Sequence, residues 1–386
     1  MMKRTMLAAA CAAVLATTAC GGDDGAGEDT AAPSPRPSGP QQESPRPSPT
    51  GTPGGECASV IDGLSPRERA AQLLVVGVDE TDPASAVALV RDNKVGGIFI
   101  GGNATTLFTG DALEQVQQAA GDIPVSVAVD DEGGRVQRID ELVGPMPSAR
   151  QMAATMSPDE VRELAAERGR QMRDYGITVD YAPVVDLTDG PANGVIGDRS
   201  FSADPQKATE YAAAFAHGLA DSDVRPVIKH FPGHGRANGD SHQGLVTTPP
   251  LDDLRQSDLV PYEDLGVYPD GTEVMVGHLN VPGLTDGTPA SLSPEAYRLL
   301  REDFGYDGPV LTDDLGAMRA ISDSYTLDEA VLLALQAGAD QPLWSAGGDV
   351  GPVLDRLESA MANGDLPQDR VTESLTRVLN AKGACG

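Results

Sequence analysis

Apolar, β-rich runs recur along the chain at Gln72–Val78, Val95–Gly101, Val125–Asp130, Val179–Asp186, Arg225–His230, Glu273–Leu279, Pro309–Asp313 and Asp340–Trp344. Stretches of helical spacing lie between them, among them Pro158–Tyr175, Asp204–Asp221, Pro294–Phe304, Leu327–Ala337 and Gly351–Asn363. A last one, Gln368–Lys382, closes the pattern. Strands that alternate with helices imply parallel βαβ units and an α/β fold. Eight such units match a single (β/α)8 barrel of the TIM type in both count and length. A doubly wound open sheet is the alternative, weakened because no GxGxxG follows the first strand. No internal repeat or mid-chain linker interrupts residues 57–386, so one domain suffices.

The first 56 residues follow none of this patterning. Lys3 and Arg4 precede a short apolar run, Met6–Ala16, too short to span a bilayer as a mature helix. Small residues then lead to Cys20. This resembles the lipobox of bacterial lipoproteins, with Thr17 where that motif usually has Leu. The resemblance implies a signal peptide over residues 1–19, a lipidated Cys20, and a membrane-anchored protein facing the extracytoplasmic side; an ordinary cleaved signal is the other reading. Residues 21–56 hold 8 of the 30 prolines and no Val, Ile, Leu, Met, Phe, Trp or Tyr. With nothing to bury, such a segment cannot offset its ordering entropy. Residues 20–56 therefore read as a disordered, extended tether.

Charge narrows the partners. Lys plus Arg is 28 against 58 for Asp plus Glu, a formal net charge of −30. That balance argues against nucleic acid, whose phosphates need clustered cations. One Trp and 4% aromatics leave little for a sugar-stacking surface. Of the four cysteines, Cys11 leaves with the signal and Cys20 takes the lipid. Cys57 and Cys385 bracket the folded region, and an exported chain can keep disulfides, so these two are expected to pair.

In a barrel, chemistry belongs at the C-terminal strand ends. The most polar segments fall there: Asp130-Asp131-Glu132-Gly133-Gly134-Arg135, Asp186 with Gly197–Phe201 in the loop behind it, Lys229–Gly235, Gly277-His278 and Thr312-Asp313-Asp314. Three of the five histidines lie within residues 230–242. Imidazole changes charge near neutrality, so this clustering suggests proton transfer or metal binding. His230, His234, Asp240 and His242 could supply zinc ligands, but HxxxH works on a helix, which Pro232, Gly233 and Gly235 forbid. No metal or cofactor is expected. His217, on an Ala-rich helix, reads as structural. Asp240-Ser241-His242 sets a carboxylate two residues before an imidazole, and Asp313 on another strand could serve as a nucleophile. Such a pair of groups is what glycoside hydrolysis requires.

The segment KHFPGHGRANGDSH (Lys229–His242) resembles the signature of family 3 glycoside hydrolases of the β-N-acetylglucosaminidase branch. VDDEGGRVQRI (Val129–Ile139), IGDRSF (Ile196–Phe201), VMVGHLNVP (Val274–Pro282), PASLSPE (Pro289–Glu295) and LTDDLGAM (Leu311–Met318) resemble its other blocks, in the same order, across residues 59–345. The resemblance implies a retaining exo-acting enzyme that releases terminal N-acetylglucosamine (GlcNAc). In it, Asp313 is the nucleophile, His242 the acid/base and Asp240 the dyad partner. Asp130, Arg138, Arg199, Lys229 and His230 would hold the sugar, with His234 and Arg135 supporting their loops. GlcNAc-containing saccharides or muropeptides from peptidoglycan are the implied substrates. Two alternatives stay open: a phosphorylase with phosphate as acceptor, and a non-catalytic muropeptide-binding lipoprotein. The loop Asp314–Ala317 looks one residue longer than the family's. The chain ends with its last helix, leaving no counterpart to the second domain of some members. Nothing in the sequence signals an oligomeric state.

Overall fold

The computed structural model describes residues 55–385. The expected signal segment, Cys20 and the tether through residue 54 lie outside the described residues. The first helix, Gly55–Asp62, begins two residues before the expected domain boundary at Cys57.

Eight parallel strands close into a barrel: β1 Val75–Gly77, β2 Gly97–Phe99, β3 Ser126–Val129, β4 Val179–Asp180, β5 Arg225–Phe231, β6 Glu273–Val276, β7 Val310–Asp314 and β8 Gln341–Trp344. Each pairs with its neighbours in chain order, and β1 pairs with both β2 and β8 to complete the ring. The doubly wound alternative is thereby excluded. Side chains alternate between two cores, as the period of two in a strand requires. Val75, Phe99, Ala128, Val227, Met275, Leu311 and Leu343 pack with one another in a cluster of their own, drawn from strands all round the ring. Their strand neighbours Val76, Ile98, Val127, Ile228, Val274, Val310 and Trp344 belong to the larger core shared with the helices.

Six of the eight strands are shorter than the apolar runs suggested, whereas Arg225–Phe231 and Val310–Asp314 keep about the expected length. The fourth was expected over Val179–Asp186, yet its ladder covers only Val179–Asp180, with one further bridge from Val184 to Lys229. Pro183 lacks the N–H that a continuous ladder needs. The helical stretch from Pro294 is likewise split, an α-helix over Pro294–Arg298 followed by a π-turn over Leu299–Asp303.

Several helices begin where the sequence supplies caps. Ser157 accepts from the Glu160 amide while Glu160 reaches back to the Ser157 amide, starting helix Pro158–Asp174. That helix packs against Pro205–Ala220, and Gly218 makes the close approach possible. A Cβ there would sit 2.3 Å from the carbonyl oxygen of Arg162. A disulfide joins Cys57 to Cys385, tying the first helix to the segment after the last, Gln368–Ala381. A short parallel ladder of Val246–Thr247 with Leu279–Asn280, which the patterning did not reveal, lies outside the barrel. It anchors the base of the loop after β5.

Candidate active site

A cavity of about 470 Å³ opens at the C-terminal ends of the strands. Phe99, Tyr181, Met275 and Leu343 from the barrel interior line it, together with a charged set from several strand ends. Asp130, Arg138, Arg199, Lys229, His230, His242 and Asp313 all face it. Asp240 stands behind His242.

The cations are held by carboxylates, one of them buried. Glu132 follows β3, and its side chain is 3% exposed. The Arg199 guanidinium donates to it through a fork, both contacts at 2.7 Å, and the Lys229 ammonium lies 2.6 Å from Oε1. Burial pushes the Glu132 carboxyl up, but Arg199 and Lys229 outweigh burial and hold it well below its usual range. Arg138 makes a second fork with Asp130 at 2.7 and 3.0 Å and donates to Asn103 Oδ1 at 2.9 Å. Two planar guanidinium groups are thus fixed at the mouth, suited to paired hydrogen bonds with hydroxyls or an amide carbonyl.

Asp186, beyond β4, organises the histidines. His230 Nδ1 lies 2.7 Å from its Oδ2, and the His234 amide donates to Oδ1 at 2.6 Å. Burial raises the Asp186 carboxyl, but His230 and His234 outweigh it and leave the group below its usual value. A neutral His230 therefore carries its proton on Nδ1 and offers Nε2 as an acceptor.

Asp313 sits near the end of β7 and is 7% exposed. Burial pushes its carboxyl up, but His230, His278, the Asp314 amide and Lys229 together hold it below the usual range. The Asp314 amide donates to its Oδ1 at 2.9 Å. Asp313 is thus an ionised carboxylate at neutral pH. Its neighbour Asp314 fixes the following turn, accepting from the amides of Gly316 and Ala317 and from the hydroxyl and amide of Ser345 on the adjoining strand end. His278 lies beneath. Its Nε2 is 2.9 Å from the Asp314 carbonyl, which can only accept, so Nδ1 accepts from the Ser291 hydroxyl at 2.7 Å.

The dyad belongs to the loop after β5. Asp240 Oδ1 lies 2.8 Å from His242 Nδ1 and 3.0 Å from the His242 amide. Burial lifts the Asp240 carboxyl, but its hydrogen bonds from His242 outweigh this and hold it low. The carboxylate fixes the Nδ1–H tautomer and leaves Nε2 to exchange a proton. The His242 side chain is 62% exposed, open to an incoming substrate.

The sequence did not single out several supports. Glu132 carried no assigned role, although it stood in the polar run after the third strand. Arg150 donates to the carbonyls of Thr188, Gly190 and Gly197 and so shapes the loop bearing Arg199. Arg135, which the resemblance did mark as a loop support, bonds the carbonyls of Ala192, Gly194, Val195 and Ile196. His217 bonds the Val267 carbonyl at 3.1 Å, away from the cavity. Among the described residues no group of three or more His, Cys, Asp or Glu side chains is arranged to hold a metal ion.

A barrel mouth with this charge distribution can bind a neutral polyol and place a carboxylate and an imidazole beside it. Residues 65–381 match the glycosyl hydrolase family 3 N-terminal domain. The chain belongs to glycosyl hydrolase family 3. Within that family it is 54% identical over 341 residues to beta-hexosaminidase LpqI of Mycobacterium tuberculosis, covering 86% of this chain and 87% of that one. A beta-hexosaminidase of Stenotrophomonas maltophilia is 34% identical over 278 residues, covering 69% and 82% of the two chains. The solved structure of M. tuberculosis LpqI superimposes with a TM-score of 0.82 at 54% identity, over 85% of this chain and 97% of that one. A family 3 member from Mycobacterium smegmatis gives 0.80 at 52% identity, over 83% and 98%.

Proposed function

We propose that this protein is a retaining exo-β-N-acetylglucosaminidase that releases terminal GlcNAc from peptidoglycan-derived saccharides. The β-hexosaminidase class follows from the family and the relatives. The substrate and the mechanism are the further steps. One observation supports the mechanism above others: a buried, ionised carboxylate on β7 and an exposed imidazole on the loop after β5, oriented by its own carboxylate, line one cavity.

In the reaction, Asp313 attacks the anomeric carbon while His242 delivers a proton to the departing oxygen, so the glycosidic bond breaks as the Asp313–sugar bond forms. Asp240 supports the imidazolium state before transfer. His242 then takes a proton from water, whose oxygen attacks the anomeric carbon and frees Asp313. Arg138, Arg199, Lys229 and His230 hold the ring hydroxyls, with Asp130 accepting alongside Arg138. Anchoring through a lipid on Cys20, with residues 20–56 as a tether, would place the site at the outer face of the membrane. This part rests on the sequence.

The test is release of p-nitrophenol from p-nitrophenyl β-N-acetylglucosaminide by the wild type and by Asp313→Ala. Turnover by the wild type and its loss in the variant support the reading. No release by the wild type, or full activity in the variant, overturns it. Muropeptides of defined structure, digested with and without phosphate and resolved by mass, distinguish free GlcNAc from its 1-phosphate. Phosphate is a candidate acceptor because a neutral imidazole does not repel an anion as a carboxylate would.

A further inference from the structure

Between Asp240 and His242 lies a side chain that the mechanism does not use. Ser241 is 2% exposed, whereas the His242 side chain beside it is 62% exposed. The acid/base imidazole and the carboxylate that orients it thus flank a residue that is turned into the protein.

The loop that carries them is closed at its neck. The Asn238 amide donates to the Thr247 carbonyl at 3.0 Å, and the Thr247 amide donates back to Asn238 Oδ1 at 2.8 Å. The neck fixes where the loop starts and ends. It does not fix how far the tip stands from β7, where Asp313 lies. The described hydrogen bonds between this loop and the segment after Asp313 all run through Ser241. The Ala320 amide donates to the Ser241 carbonyl at 3.1 Å, and the Ser241 hydroxyl lies 3.7 Å from Met318 Sδ. On its other side the hydroxyl is 3.3 Å from His234 Nε2.

A thioether sulfur only accepts and a ring nitrogen of a neutral imidazole can accept too, so the Ser241 hydroxyl ties the loop to both Met318 and His234. Burial pulls His234 below the ordinary imidazole range and keeps it neutral. His234 is itself anchored, its amide donating to Asp186, the carboxylate that also holds His230. A continuous path therefore links the sugar-holding His230, through Asp186, His234 and Ser241, to the turn that follows the nucleophile.

We infer that Ser241 is a positioning residue, a latch that holds the Asp240–His242 dyad at proton-transfer distance from a glycosidic oxygen attacked by Asp313. The inference rests on the acid/base reading of His242 above. Proton transfer is steep in distance: a donor must come within about 2.6–3.2 Å of its acceptor. A displacement near 1 Å costs roughly a hundredfold. Removing the Ser241 hydroxyl keeps the backbone contact to Ala320 but releases the link to His234 and Met318. The dyad then spends less time in reach of the leaving group, while Asp313 and the sugar-holding residues keep their places.

The signature is a loss that depends on the leaving group. A 2,4-dinitrophenolate departs without a proton, whereas the sugar alkoxide of N,N′-diacetylchitobiose needs one. The experiment measures kcat/KM for both substrates with the full chain in four forms: wild type, Ser241→Ala, Met318→Leu and His242→Ala. Met318→Leu keeps the volume and removes only the sulfur acceptor, so it serves should Ser241→Ala fold poorly; thermal melts report which variants are folded. The expected result is a fall at least about tenfold larger on chitobiose than on the dinitrophenyl glycoside for Ser241→Ala, with a smaller bias of the same sign for Met318→Leu. Equal losses on both substrates for the folded variants, with His242→Ala still biased, overturn the latch and leave the acid role standing. No bias in His242→Ala overturns the acid role and the latch with it.

Discussion

Glu132 concentrates the electrostatics of the mouth in one carboxylate. It faces two cations, Arg199 and Lys229, and almost no water. Removing one partner of a buried pair is expensive because the remaining charge stays desolvated, typically about 3–5 kcal/mol. Glu132→Gln is therefore expected to lower the urea midpoint markedly and to raise KM for p-nitrophenyl β-N-acetylglucosaminide at least tenfold, as Arg199 and Lys229 lose their fixed positions. A neutral effect on both would show that the cations find other partners. The buried imidazoles make a separate claim on pH. Burial holds His234 and His278 below the ordinary value of 6.5. Below pH 6.5 the unfolded chain thus binds protons that the native state refuses, and stability falls as pH falls. Unfolding free energy measured in urea should drop between pH 7.5 and 5.5, with a shallower slope in His278→Asn. A rise over that interval would contradict the sign. At this level the sequence was informative about residue type and silent about pairing. Charges clustered at strand ends could be read from spacing alone. That Glu132 meets Arg199, or Asp186 meets His230, could not, because those partners lie 67 and 44 residues apart and meet only when the barrel closes.

The eight-strand alternation was legible because each strand buries both faces, one inside the barrel and one under helices, and so appears as an apolar run. The lengths were legible only for the strands Arg225–Phe231 and Val310–Asp314. An apolar run marks burial, whereas a ladder also needs backbone donors, and beyond Asp180 the chain meets Pro183. The ladder beside the dyad loop escaped notice for a related reason: Val246–Thr247 is too short to show a period. Helix packing shows where a single atom decides. Gly218 sits inside Pro205–Ala220, where alanine would ordinarily gain about 1 kcal/mol of helix propensity. Its Cβ would stand 2.3 Å from the Arg162 carbonyl and 2.7 Å from Ala165 Cβ, so the two helices must separate. Overpacking of this kind costs about 1–3 kcal/mol, and against rigid backbone the upper part of that range applies. Gly218→Ala is expected to lose roughly 1–2 kcal/mol net in urea unfolding with kcat unchanged, the helix pair being remote from the cavity. A stabilised variant would show that the helices slide apart at little cost.

A barrel needs its first and last elements held together, since its final strand pairs with its first. Here β8 pairs with β1, yet the elements outside that seam, helix Gly55–Asp62 and the segment after Gln368–Ala381, are joined covalently through Cys57 and Cys385. The crosslink spans 328 residues of sequence. Closing so long a loop in the unfolded chain removes much of its entropy, and losing a native disulfide typically costs about 2–5 kcal/mol. Unfolding entropy near 2.1 cal/mol/K per residue, over some 330 residues, converts each kcal/mol to about 1–1.5 °C. Cys57→Ser with Cys385→Ser is therefore expected to lower Tm by about 3–7 °C. Catalysis should not follow. Lys382 and Gly383, just before Cys385, line a separate cavity with Ser126 and Arg225, which open β3 and β5, so the crosslink lies toward the end of the barrel opposite the mouth. The double variant should keep kcat and KM on p-nitrophenyl β-N-acetylglucosaminide at temperatures well below its Tm. If instead KM rises while Tm stays fixed, the two ends of the barrel are coupled, and the disulfide tunes the mouth rather than securing the closure.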